Sequence, residues 1–215
     1  MATGEVKVLS YWVSPFVMRT RIAFNIKCVK YELVGVNILE AKSELLLRSN
    51  PVHKRVPVLI HGHHQPICES LIIMQYIDDT WSSGPSILPS NPKERALVQF
   101  WAAYLDEKWF PAMKSILAHG EESTIAKLGE GLALMEETIK KCSKGKAFFG
   151  GDEIGYLDIA FGSLLGCLRV TEMLNGMKLL DEPNTPTLVS WADRFCSHAA
   201  VKDVMPHTHK IAKFF

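Results

Sequence analysis

With 215 residues, 47% of them hydrophobic and 22% charged, the chain has the composition of a globular protein that fills its own core, which excludes disordered and fibrous classes. Lys and Arg number 24 against 23 Asp and Glu, a net charge of +1, so there is no broad basic field to grip a phosphate backbone, and nucleic acid is not expected as a partner. The cysteines Cys28, Cys68, Cys142, Cys167 and Cys196 are odd in number, scattered and never spaced C-x-x-C, which fits a reducing compartment and points to the cytoplasm.

Near the start, Glu5 and Lys7 interrupt the apolar stretch that a secretory peptide needs, and no later run is long enough to span a membrane, so an untargeted, non-membrane protein is expected. VKVLSY reads as a first strand, and Ser14-Pro15 opens a helix to about Ile26, with Ser at the N-cap and Pro at the first helical position. YELVGV gives a second strand and Ser43 to Arg48 a polar helix. VPVLI and QPIC are strands flanking HGHH, where Gly62 supplies the freedom of a tight connection, so they pair as a hairpin. A helix follows from Ser70 through Trp81, and the alternation as a whole predicts an α/β domain over 1–82.

The segment SSGPSILPSNP carries three prolines, a glycine and four serines, the composition of a connection, and marks 83–91 as a linker. Over 92–215 no comparable strand signal appears. Apolar residues recur there at helical spacing, as in Ile125, Leu128, Leu132, Met135 and Ile139, so the second domain reads as all helical. Pro111 interrupts the first of its long helices and predicts a kink, since a mid-helix proline deletes a backbone hydrogen bond and crowds the preceding turn.

Several positions carry chemistry in more than one way. Ser14 reads as a plain helix cap or, because a helix start offers free N–H groups and partial positive charge, as a donor to an anion such as a thiolate. Val56-Pro57 is a strand start or a place where Val56 presents backbone groups to an extended peptide. Glu69 and Ser70 open a helix, as dipole partner and cap, or together receive a group that bears both a carboxylate and an ammonium. Lys42 and Arg55 are solvated surface charges or cations for a second carboxylate. His61, His63 and His64 crowd one turn without the fixed geometry and fourth ligand that zinc wants, so no metal site is expected. Cys68 reads as a small packed hydrophobe, and Asp158 in GYLDIAF as the organiser of a buried helix start, with Gly155 in place of the usual hydroxyl cap.

The segments SPFVMRTRIAFNIK, KSELLLRSNPVHKRVPVLIHG, PICESLIIMQYIDDTW and GPSILPSNPKERALVQFWA, in this order and spacing, resemble plant tau-class glutathione transferases. The likeness covers essentially the whole chain and is strongest in the first 105 residues. It implies the cytosolic glutathione transferase fold, a thioredoxin-like α/β first domain that binds glutathione and an all-α second domain that binds the acceptor, assembled as a homodimer. Glutathione is then a co-substrate, with no prosthetic group, and the activity is conjugation of its thiolate to hydrophobic electrophiles in detoxification and stress response.

By the same resemblance Ser14 matches the catalytic serine and Lys42 and Arg55 the residues at the glycyl carboxylate. Val56 before a cis-Pro57 matches the contact to the cysteinyl part, and Glu69 and Ser70 match the γ-glutamyl site. Phe16, Phe110, Lys114 and Leu117 match acceptor-site positions, and Trp12, Phe214 and Phe215 are added from their location alone, as residues that close the cleft. Arg55 stands where lysine is common in the family, and its planar fork differs in hydrogen-bond geometry from an ammonium. Asp78 or Asp79 with Arg95 are the cross-subunit ion pairs considered. A glutathione peroxidase side activity and a non-catalytic role as carrier of flavonoids, hormones or porphyrins are the alternatives.

Overall fold

In the computed structural model, which describes residues 4–39, 42–119 and 122–214, the chain divides into two compact units, 1–86 and 87–215. The first is built on a four-stranded sheet in the order β2-β1-β3-β4, formed by β1 (Val6–Ser10), β2 (Glu32–Gly35), β3 (Val58–His61) and β4 (Ile67–Cys68). The inner strand β1 is apolar over most of its length, with Val8 and Leu9 fully buried, whereas the edge strand β2 is largely exposed. The helix α1 (Pro15–Ile26) carries the chain from β1 to its parallel neighbour β2. β3 and β4 pair antiparallel, Val58 opposite Cys68, through a turn in which Gly62 takes φ +57. This is the hairpin predicted around HGHH.

Nine of the twelve residues of α1 are buried, and α1 packs against α3 (Ser70–Thr80) through a layer that includes Ile22, Phe24, Ile73, Met74 and Ile77. The short α2 (Glu44–Ser49) contributes Leu46 to a second cluster with Leu9, Val17, Val56 and Val58. Lys27, at the end of α1, is buried as an ion pair, its Nζ 2.7 Å from Asp78 and donating to the Pro85 carbonyl at 3.0 Å. Ser83 donates to the Lys27 carbonyl, Ser86 donates to Asp78 at 3.3 Å, and a Cβ on Gly84 would meet the Ile26 carbonyl at 2.2 Å. Residues 83–86 are thus strapped to the first unit. Asp78, considered above for a cross-subunit pair, is taken by Lys27.

The second unit is helical: α4 (Pro92–Tyr104), α5 (Phe110–His119), α6 (Glu122–Ser143), α7 (Tyr156–Gly162), α8 (Leu165–Asn175), α9 (Pro186–Ser197) and α10 (Thr208–Ala212). Leu128, Leu132, Met135 and Ile139 lie buried along α6, as their spacing predicts. Pro111 falls where the first long helix of this unit is interrupted. A π-helical turn, Leu105–Trp109, stands between α4 and α5 and ends with the Phe110 N–H on the Leu105 carbonyl, so the proline enters as the second residue of α5.

All of α7 is buried. At its start the Asp158 carboxylate accepts the N–H groups of Phe149, Gly150 and Gly155, each at 2.9 Å, and the Trp191 indole N–H at 2.7 Å. Complete burial pushes this carboxyl up to about 6 against the pull of those four donors. Around it Phe161 stacks on Trp191 at 5.0 Å, and Trp191 on Phe195 at 5.6 Å. Gly162 leaves the space for Phe195, whose ring a Cβ would meet at 2.2 Å. Glu136 of α6 accepts from the first N–H groups of α9, Thr187 at 3.1 Å and Leu188 at 2.9 Å. Burial raises its carboxyl, but these bonds and Lys140 outweigh burial and hold it below the ordinary carboxylate range.

Asp158→Ala leaves four donors, three of them in buried bonds, without their acceptor and is expected to lower the unfolding free energy by about 3 kcal/mol or more in urea titration at pH 7. A loss under about 1 kcal/mol would show that the carboxylate does not organise this unit.

Candidate functional site

Ser14 closes the turn between β1 and α1, its N–H donating to the Tyr11 carbonyl at 3.0 Å. It is the N-cap of α1, with extended backbone (φ −70, ψ 117), and its Oγ accepts a long bond of 3.4 Å from Val17 N–H. The residue is 8% exposed, and among the described residues no acceptor meets its O–H. A buried hydroxyl with its proton unspent therefore stands at the positive end of a twelve-residue helix that has no acidic residue in its first turn.

The next elements converge through side chains that sequence patterns do not reveal. Val56 precedes a cis peptide bond to Pro57 and packs in the same cluster as Val17 of α1. Among the described residues no hydrogen bond is made by the Val56 backbone N–H. The loop that delivers it is folded around Asn50, which is 3% exposed. The Asn50 side chain donates to the Arg55 carbonyl at 3.0 Å and accepts from His53 N–H at 3.0 Å, while its backbone carbonyl accepts from Lys54 N–H at 2.9 Å. Lys42 is exposed and donates its Nζ to the Lys54 carbonyl at 3.1 Å, and Arg55 is exposed beside it in the chain. The two predicted cations thus meet one loop, Lys42 by a hydrogen bond and Arg55 by sequence.

At the start of α3 the expected roles are exchanged. Glu69, not Ser70, is the N-cap, and it takes φ 70, ψ 116, a conformation rare for any residue but glycine, with no side-chain cap bond. Its carboxylate is exposed, 3.9 Å from His53 Nε2. Ser70 is the first helical residue, buried, and its Oγ accepts from Arg19 Nη1 at 3.2 Å. Arg19, itself fully buried with its guanidinium 5.0 Å above the Phe16 ring, ties the helix that begins at Ser14 to the helix that begins at Ser70. Sequence reading missed all three: Arg19 and His53 meet partners distant in the chain, Ser70 and Glu69, and Asn50 is an asparagine of ordinary type whose bonds close a local loop.

Of the acceptor positions, Phe16 lies half-buried on α1 in the first unit. Phe110, Lys114 and Leu117 lie on α5 in the second, at spacing that puts them on one stripe, with Lys114 Nζ 5.9 Å from the Phe110 ring centre. Trp12 and Phe214 are exposed, and Phe215 lies outside the described residues.

His61 is buried, its Nδ1 2.8 Å from the Tyr76 hydroxyl and its ring tilted on Trp81 at 5.0 Å, while His63 and His64 face solvent. Among the described residues no three His, Cys, Asp or Glu side chains gather for a metal. Cys68 donates to the Ser49 carbonyl at 3.6 Å, and burial, then the Glu69 charge, pushes its thiol up, away from the thiolate that redox chemistry needs.

Residues 4–79 match the profile of the glutathione S-transferase N-terminal domain. Glutathione S-transferase U17 of Arabidopsis thaliana is 57% identical over the whole chain and 96% of the relative, and U18 of the same plant is 53% identical with the same coverage. The crystal structure of a tau-class glutathione S-transferase from mango superposes with a TM-score of 0.93 at 60% identity, covering 98% of this chain and 96% of that one. Rice GST1 in complex with glutathione superposes with a TM-score of 0.87 at 32% identity over the same shares. The chain belongs to the glutathione S-transferase family, among its tau-class members.

Proposed function

We propose that this chain conjugates glutathione to hydrophobic electrophiles and that Ser14 acts by donating its O–H to the glutathione sulfur, holding it as a thiolate. The observation that supports this reading is the buried Ser14 hydroxyl whose proton has no acceptor among the described residues, at the start of α1. An ordinary thiol, pKa about 8.5, is only a few per cent ionised at neutral pH, and making it a hundredfold more acidic requires about 2.7 kcal/mol of preferential stabilisation of the anion. A charge-assisted hydrogen bond supplies about 1.5–3 kcal/mol and a helix start about 0.3–1 kcal/mol, so the two together suffice.

In the reaction the thiol proton leaves for solvent, the sulfur lone pair forms the bond to an electrophilic carbon, and a leaving group departs with its electron pair. Ser14 remains a donor throughout and is never acylated or alkylated. A hydroxyl at a helix start, placed to donate to an anion, favours the enzyme over the carrier reading. A hydroperoxide meeting the same thiolate accounts for the peroxidase side activity.

In this reading the first unit holds glutathione as an extended peptide. Val56 pairs its free N–H with the cysteinyl segment, Lys42 and Arg55 face the glycyl carboxylate, and Glu69 with Ser70 receives the γ-glutamyl end. Phe16, Phe110, Lys114 and Leu117 face the acceptor, and Lys114 favours acceptors that carry an acidic group. The protein works in the cytoplasm as a homodimer, a reading supported by its five free cysteines and by the exposed Ile72 on α3 and Leu97 and Phe100 on α4.

Ser14→Ala should keep the KM for glutathione within a few fold and lower kcat with an aromatic halide about a hundredfold at pH 6.5. The deficit should shrink toward pH 9, where an unassisted thiol ionises by itself. Equal turnover at pH 6.5 would remove Ser14 from the mechanism.

Asn50→Ala releases two side-chain hydrogen bonds of the loop before Val56, and its KM for glutathione should rise about tenfold, worth about 1.4 kcal/mol, with kcat at saturation largely kept. An unchanged KM would mean that the loop holds its shape without Asn50. Light scattering at micromolar concentration should give the mass of two chains, and a monomer would refute the dimer.

A further inference from the structure

We infer that Trp109 is a positioning residue that sets acceptor preference, by locking the rotation of α5 against a notch at Gly131. The inference rests on the reading of Phe110, Lys114 and Leu117 as acceptor-facing residues. Its starting point is a gap in the backbone: Pro111 has no N–H, so the ordinary helical bond back to the Glu107 carbonyl does not form where α5 begins. The π-helical turn before it bonds the Phe110 N–H to Leu105, five residues back, and one residue more or less in that turn rotates everything after it by about 100°. One backbone hydrogen bond fewer thus ties α5 to the turn before it. A packed side chain can then reinforce one rotation.

Trp109, the last residue of that turn, is 2% exposed and held on several sides. Its indole N–H donates to the Leu128 carbonyl of α6 at 3.2 Å, and its ring meets Phe161 edge-on at 5.5 Å. Its five-membered edge fills the space beside Gly131, where a Cβ would stand 2.2 Å from Cδ1 and 2.7 Å from Nε1. With Trp109 so placed, Met113 and Ile116 turn into the core, while Phe110 and Leu117 are half-buried and Lys114 is exposed. Rotation of α5 by one residue would exchange these faces, so the fit of the indole at Gly131 decides which side chains the acceptor meets.

Gly131→Ala puts a methyl group into the notch, and Trp109→Phe trims the ring and removes the N–H. Each should raise the KM of an uncharged aromatic halide about tenfold and change the preference for a carboxylate-bearing electrophile of similar size at least fivefold, with the glutathione KM within twofold. The double variant should regain at least threefold of the lost acceptor affinity, because the smaller ring leaves room for the methyl. Cooperative thermal unfolding identifies the folded variants, and Trp109→Phe carries the test if Gly131→Ala does not fold. A folded variant with acceptor KM and preference unchanged, or with glutathione KM shifted in parallel, overturns the inference. Phe110→Ala and Lys114→Ala separate the two readings: if they move acceptor KM and the notch variants do not, the lock alone is wrong, and if none moves it, the acceptor-facing stripe is wrong as well.

Discussion

A buried polar group without a partner costs about 1–3 kcal/mol, and in both units of this chain buried charged side chains are placed where they satisfy several such groups at once. Asp158 gathers four donors from three segments of chain, so the start of α7, the loop before it and the middle of α9 hold one relative placement. Glu136 satisfies the first N–H groups of α9 from α6. In the first unit the Lys27 ammonium, buried between Asp78 and Pro85, joins the end of α1 to α3 and fastens the chain as it leaves the unit. Removing one partner from such a cluster leaves the others stranded, which is why these positions govern more than their own contacts.

The site proposed around Ser14 is where the same rule is left incomplete. Ser14 Oγ accepts but its proton has no acceptor among the described residues, and the Val56 N–H stands before Pro57 with no bond of its own. The surrounding polar atoms are paired: Ser70 with Arg19, Asn50 with the loop it closes, Lys42 with Lys54. Partners of this kind fix the groups that remain open, so that binding does not have to order them first. Glu69 adds an unusual backbone conformation at the start of α3, of the kind that persists where the surrounding structure over-determines it.

Proline and glycine show how far a sequence pattern carries. Pro15 and Pro92 stand one residue after Ser14 and Asn91, and both helices begin there, because cap, missing N–H and fixed φ act within a few residues. Pro111 obeys the same local physics, and there a widened turn comes before a helix restarted at Phe110. Trp109 of that turn reaches Leu128 and Gly131, and nothing near Pro111 in the sequence carries that information. Ser70 fails as a cap for a similar reason. Its hydroxyl faces Arg19, 51 residues earlier, and the cap position passes to Glu69.

The sequence by itself determined the strands, most helices, the hairpin at Gly62 and the place of Ser14 at a helix start, since these follow from apolar periodicity and from capping and turn chemistry acting over a few residues. It also carried the family, because several segments match together in order. Only the tertiary structure decided that Arg19 binds Ser70, that Asn50 folds the loop before Val56, that Asp78 is taken by Lys27, and that Trp109 rests on Gly131. These are pairings between residues distant in the chain or between side chains of ordinary type. Their geometry exists only once the helices have packed and buried polar groups have found the partners within reach.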